Sequence, residues 1–121
     1  LARVVDYGQV AGPDNSLHGQ PARAIAKALE RAGWRADELD HVEINEAFAA
    51  VSLQSARDLD LDLSVVNPDG GAIALGHPIG ASGARLTVHA AHALAAGRAR
   101  RAAIALCGGG GQGEAILLER V

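Results

Sequence analysis

Strand-like apolar runs alternate along this chain with stretches of helical spacing. Arg3–Val10 reads as a strand and runs into the turn-rich loop G-P-D-N-S-L-H-G-Q. Pro21–Ala32 then reads as a helix: Ala24, Ile25, Ala28, Leu29 and Ala32 share one face, proline sits in the first turn, and Gly33 closes it. After the acidic surface stretch Asp37–Asp40, His41–Ile44 predicts a short strand. Glu46–Leu59 predicts a second helix, with Phe48, Val51 and Ser55 along one side. Ser64–Val66 is expected as a third strand, followed by the long loop N-P-D-G-G-A-I-A-L-G-H-P-I-G-A-S-G. Ala84–Ala96 predicts a third helix closed by Gly97, and Ala102–Leu106 and Ala115–Leu118 two final strands.

The resulting order, β-α-β-α-β-α-β-β, predicts an α/β fold: a five-stranded mixed sheet, mostly parallel with an antiparallel partner at its end, covered by helices. No repeat or internal linker divides it, so residues 1–121 are expected to form one domain. Half the chain is apolar (49%), yet it has only one Phe, one Tyr and one Trp, so aliphatic side chains must fill the core. Fifteen glycines imply close helix–sheet packing and glycine-dependent turns.

Charge and cysteine content narrow the function. A net charge of −3, with no basic cluster beyond Arg98, Arg100 and Arg101, argues against a nucleic-acid partner. No segment is apolar over the length a membrane crossing needs. One cysteine excludes an internal disulfide and fits a reducing, cytoplasmic setting.

That cysteine, Cys107, stands where an apolar strand breaks into Gly108–Gly111. Bare glycine amides there can hold a developing negative charge and lower the pKa of a thiol, which points to chemistry on a carbonyl. Two further polar residues fall at or beyond strand ends, where open α/β sheets place ligands. Asn45 in I-N-E-A-F has a plain reading as a helix cap, and Glu46 as an acid favoured by the helix dipole. His77 in G-H-P-I-G is more pointed, since glycines and Pro78 fix the backbone while leaving room for a substrate, and imidazole can donate to a carbonyl or take a thiol's proton. Gly108, Gly110 and Gly113 match G-x-G-x-x-G, but only eight residues follow, too few for a dinucleotide-binding unit. His89 and His92 lie at i and i+3 on the third predicted helix with no third ligand in view, so no metal site is expected.

Taken together, N-E-A-F-A-A (Asn45–Ala50), N-P-D-G-G-A-I-A-L-G-H-P-I-G-A-S-G-A-R (Asn67–Arg85) and C-G-G-G-G-Q-G (Cys107–Gly113) resemble the C-terminal domain of the thiolase family, in order and over essentially the whole chain. The resemblance implies an acetyl-CoA C-acetyltransferase type of activity in lipid metabolism: Claisen condensation of two acetyl-CoA to acetoacetyl-CoA, or thiolysis in reverse. Coenzyme A thioesters would be substrates and no cofactor is needed. It implies that His77 activates a nucleophilic cysteine and helps bind the thioester oxygen. Asn45 would hold a water in the same oxyanion hole, and Cys107 would act as general acid and base. The Gly109 N–H would serve a second oxyanion hole, and Phe48 would line the acyl pocket. The nucleophilic cysteine belongs in this family to an N-terminal domain of the same fold, so that domain is an implied partner and the 121 residues alone are expected to be inactive. A homo-oligomer is implied for the full-length enzyme. N-S-L-H-G-Q at Asn15–Gln20 departs from the M-G-I-G-like segment of many thiolases, and His18 there acquires no role. The other reading is a stand-alone module that binds an acyl-CoA or a protein without turnover, though such a binder would not need Asn45, His77 and Cys107 together.

Overall fold

The computed structural model describes residues 1–121. Its strands are β1 (Arg3–Ala11), β2 (His41–Ile44), β3 (Arg101–Gly108) and β4 (Gln112–Glu119), and its helices α1 (Gln20–Ala32), α2 (Ala49–Asp58), α3 (Ala72–Leu75) and α4 (Ser82–Ala95). They build one four-stranded sheet in the order β1-β4-β3-β2. Only β2 and β3 run parallel; β3–β4 and β4–β1 are antiparallel.

The sheet therefore has four strands where five were expected, and it is mostly antiparallel. The missing strand is Ser64–Val66. It folds mainly as a 3₁₀ turn (Leu63–Val65) and reaches the sheet through a single bridge, Val66 to Val42. Asn67 explains why. Its side-chain Oδ1 accepts from the Ile44 N–H at 2.9 Å, its Nδ2 donates to the Ile44 C=O at 2.9 Å, and its own N–H donates to the Val42 C=O at 2.8 Å. One carboxamide thus occupies the edge groups of β2 that another strand would have paired.

Alternation along the strands sorts side chains to two faces. Val42, Ile44, Ala103, Ala105 and Leu117 pack against Ala24, Ile25, Ala28 and Leu29 of α1. Ala102, Ile104 and Leu118 pack against Leu86, Ala90 and Leu94 of α4. Small residues let the layers close: a Cβ on Gly8 of β1 would drive into the Ala24 carbonyl of α1.

Candidate active site

Parallel pairing of β2 with β3 puts their carboxyl ends side by side. Ile44 pairs with Ala105, and the Asn45 N–H donates to the Ala105 C=O at 2.9 Å. Asn45 thus leaves β2 where Cys107 and the Gly109–Gly111 turn leave β3. The parity of the strands sends Asn45 to the α4 face, with His41 and Glu43, and Cys107 to the α1 face, packed against that core.

Asn45 does not cap a helix. α2 begins only at Ala49, with Phe48 as its N-cap residue, so Asn45–Ala47 form a bend and Glu46 lies outside the helix. The Glu46 carboxylate accepts from Asn67 Nδ2 at 3.1 Å and from the Ile73 N–H at 2.9 Å. It stands so close to Gly71 that a Cβ there would run into it. This carboxylate ties the loop carrying His77 to the end of β2.

The tie brings His77 against Asn45: Asn45 Nδ2 lies 3.4 Å from His77 Nε2. Asn45 is 1% exposed and its Oδ1 is buried with no acceptor or donor partner in the chain, a spare acceptor at the mouth of the site. The opposite ring nitrogen, Nδ1, is 2.6 Å from Ser82 Oγ, and that hydroxyl donates to the Pro78 C=O at 3.1 Å. A hydroxyl has one proton to give. With it committed to Pro78, Nδ1 must carry the ring proton, and Nε2 keeps its lone pair towards the site. His77 itself faces solvent, whereas Ser82 is wholly buried.

Cys107 is half-buried and free. Burial pushes its thiol above the usual range, and a backbone hydrogen bond offsets this only in part. The direction is thus upward, opposite to the lowering expected from the sequence. The His77 ring is engaged by Asn45 and Ser82 rather than by Cys107. Gly109 is exposed at the tip of the β3–β4 turn, where a Cβ would meet nothing, and Gly110 and Gly111 take positive φ of 86° and 77°. Phe48 is 60% exposed, and Ile73, Leu75 and Ile79 on the loop that carries His77 are exposed as well. His18 is exposed and only its backbone carbonyl is used, by Ser55 Oγ. A polar cleft of Glu38, Asp40, Arg100 and Arg101 lies at the opposite end of β3 and is unrelated to this chemistry.

Sequence reasoning missed Ser82 and Asn67 and misassigned Glu46. The available signal was polar residues inside otherwise glycine- and alanine-rich loops, but their partners lie on other segments.

Residues 1–120 match the protein family described as "Thiolase, C-terminal domain". The chain is 56% identical over 120 residues to a "Probable acetyl-CoA acetyltransferase" of Mycolicibacterium smegmatis, covering 99% of this chain and 31% of that protein. It is 50% identical to "Acetyl-CoA acetyltransferase, cytosolic" of Mus musculus, covering 99% and 30%. The crystal structure of human mitochondrial 3-ketoacyl-CoA thiolase superposes with a TM-score of 0.93 at 45% identity, over 99% of this chain and 30% of that one. The chain therefore spans about a third of the length of the relatives it matches.

Proposed function

The chain belongs to the thiolase family, as its C-terminal domain, and we propose that it supplies the proton-handling half of an acetyl-CoA C-acetyltransferase active site. The observation that carries this is the His77 tautomer: Ser82 holds the proton on Nδ1, leaving Nε2 free beside Asn45. Nε2 takes the proton of a nucleophilic cysteine carried by the N-terminal domain of the full enzyme. That thiolate attacks the first acetyl-CoA, and the intermediate collapses to the acyl-enzyme as the C–S bond to CoA breaks and the departing CoA thiolate takes the Cys107 proton, leaving Cys107 a thiolate. Once protonated, Nε2–H and a water on Asn45 Oδ1 donate to the thioester oxygen of the second acetyl-CoA. Cys107, as thiolate, removes the α-proton of that acetyl group. The resulting enolate carbon attacks the acetyl carbonyl of the acyl-enzyme, whose oxyanion is held by the Gly109 N–H. Collapse of the tetrahedral intermediate breaks the bond to the nucleophilic cysteine and frees acetoacetyl-CoA. In reverse, Cys107 returns its proton to the α-carbon. A thiol whose pKa burial has raised suits this work, since it is a strong base once deprotonated.

Phe48, at the start of α2, and Ile73, Leu75 and Ile79, on the loop that carries His77, are all more than half exposed, apolar surface that suits an acyl chain and the missing half of the site. We assign Phe48 to the acyl pocket and the loop surface to the N-terminal thiolase domain, within a homo-oligomer. Cytoplasmic residence accords with the single free thiol and the cytosolic mouse relative; no helix is long and apolar enough to cross a membrane.

The test is thiolysis of acetoacetyl-CoA by the full-length protein. His77→Ala and Cys107→Ala should each lower kcat by about 10²–10⁴-fold, the usual worth of a positioned acid or base. Turnover within tenfold of wild type in both variants would refute the catalytic reading. Acyl-CoA binding without turnover in the wild type would favour the binding module.

A further inference from the structure

Below the catalytic histidine, along the same seam between β2 and α4, lies a second cluster of polar side chains. His41 and Glu43 precede Asn45 on one face of β2, and His89 follows Ser82 by seven residues, two turns down α4. Glu43 is 1% exposed. Its Oε1 lies 2.8 Å from His41 Nε2 and 2.6 Å from His89 Nδ1, while its Oε2 is buried with no partner in the chain. One ligand atom from each of the three residues falls within 4.8 Å of the others.

The proton inventory makes this arrangement unusual. His89 Nε2 lies 3.0 Å from Asp69 Oδ2, which also accepts from Arg98 at 2.8 Å. Asp69 Oδ2 is thus the shared acceptor of the Arg98 guanidinium and of His89 Nε2–H. In a neutral His89 the lone pair is then on Nδ1, aimed at a carboxylate oxygen 2.6 Å away. Two acceptors can share that approach only with a proton or a metal ion between them.

We propose that His41 Nε2, His89 Nδ1 and the Glu43 carboxylate form a binding site for a divalent transition-metal ion, with zinc the best match. Two imidazoles and one carboxylate are an accepted zinc donor set. The contact of His89 with Asp69 is the outer-sphere hydrogen bond that metal-bound histidines commonly make. Tetrahedral zinc with bonds of about 2.0–2.1 Å sets its donors about 3.3 Å apart, so the two rings need withdraw from Glu43 by less than about 1 Å. The unpartnered Oε2 gives the carboxylate a second donor atom. The His89 side chain is 31% exposed and offers access for the ion and room for a water as fourth ligand. Helical spacing pairs His89 with His92; the fold instead turns His89 inward, and its partners come from β2. The site stands independently of the acyl-transfer reading.

Zinc titration of the full-length protein after chelator treatment tests this, with cobalt as a spectroscopic stand-in. Zinc should bind with one equivalent per domain at a Kd below about 1 μM, raise the melting temperature, and give cobalt the absorption of a tetrahedral site. His89→Gln should weaken binding by at least about 100-fold, and the half-exposed outer residue change Asp69→Asn by about 10–100-fold. His92→Gln should leave it unchanged. If zinc binds more weakly than about 1 μM, or with wild-type strength in His89→Gln, the proposal fails. The cluster is then a proton-bridged ion pair alone, or the zinc sits on the catalytic thiols.

Discussion

His77 Nδ1 and Ser82 Oγ stand 2.6 Å apart, and because the hydroxyl proton goes to the Pro78 carbonyl, this contact decides which imidazole nitrogen keeps its lone pair. Ser82 touches no reacting atom, so it is a positioning residue. In the full-length enzyme, Ser82→Ala should lower kcat by about 10–100-fold, the scale of losing orientation of one general base, with KM little changed. Ser82→Thr, which keeps the hydroxyl, should recover part of it. An unchanged kcat in Ser82→Ala would show that the tautomer is set by something else.

Asn67 is expected to be structural, and costly to lose. Asn67→Ala strips partners from the Ile44 N–H and C=O and leaves alanine at a φ of 46°. Each unpaired backbone group costs about 1–3 kcal/mol when buried, so we expect a loss of about 2–4 kcal/mol in denaturant unfolding. A loss below about 0.5 kcal/mol would mean that Val66 alone seals the edge of β2.

Gly8→Ala probes the contact of β1 with α1. Its new methyl would collide with the Ala24 carbonyl and crowd the Ala28 N–H, which are backbone atoms that cannot rotate away. Overpacking of this kind costs about 1–3 kcal/mol. Thermal unfolding should show it, and a melting temperature within a degree or so of the parent's would refute the close approach.

The Cys107 thiol gives a pH signature with a definite sign. Burial raises its folded pKa above the unfolded value, so the folded state holds the proton more tightly. The contribution to stability is full below the ordinary thiol pKa of about 8.5 and is lost as pH rises through the higher folded value. The 121-residue chain, in which Cys107 is the only thiol, should therefore alkylate slowly at neutral pH. It should also lose more stability between about pH 8.5 and 10 than Cys107→Ala does. Equal alkaline slopes for the two proteins would contradict the burial effect.

If Cys107, the sole cysteine, has the proposed acid–base role, the 121 residues alone should not accumulate an acyl-enzyme. Intact mass after incubation with acetyl-CoA should remain that of the free chain. A stoichiometric acetyl group on Cys107 would recast it as the nucleophile.

Much of the fold was legible because burial imposes a period: β1, α1, β2, α4, β3 and β4 all lie within a few residues of where apolar spacing puts them. Ser64–Val66 was misread for a physical reason. Three apolar-leaning residues satisfy a strand pattern, but the edge they would pair with is taken by the Asn67 side chain, and no periodicity encodes a side chain standing in for a strand. Glu46 was misread likewise, since its partners, Asn67 and Ile73, lie 21 and 27 residues away.

By itself, then, the sequence determined the alternating elements, the layered α/β class and the identity of the polar residues Asn45, His77 and Cys107, because local propensity and glycine turns are properties of neighbours in the chain. Tertiary structure decided the rest. Parallel register placed Asn45 beside the end of β3, and Glu46 drew the His77 loop to β2. Ser82 chose the histidine tautomer, burial set the direction of the Cys107 shift, and α4 turned His89 onto Glu43. Each depends on groups brought together from distant segments, and contact across the fold, unlike spacing along it, exists only once the chain has folded.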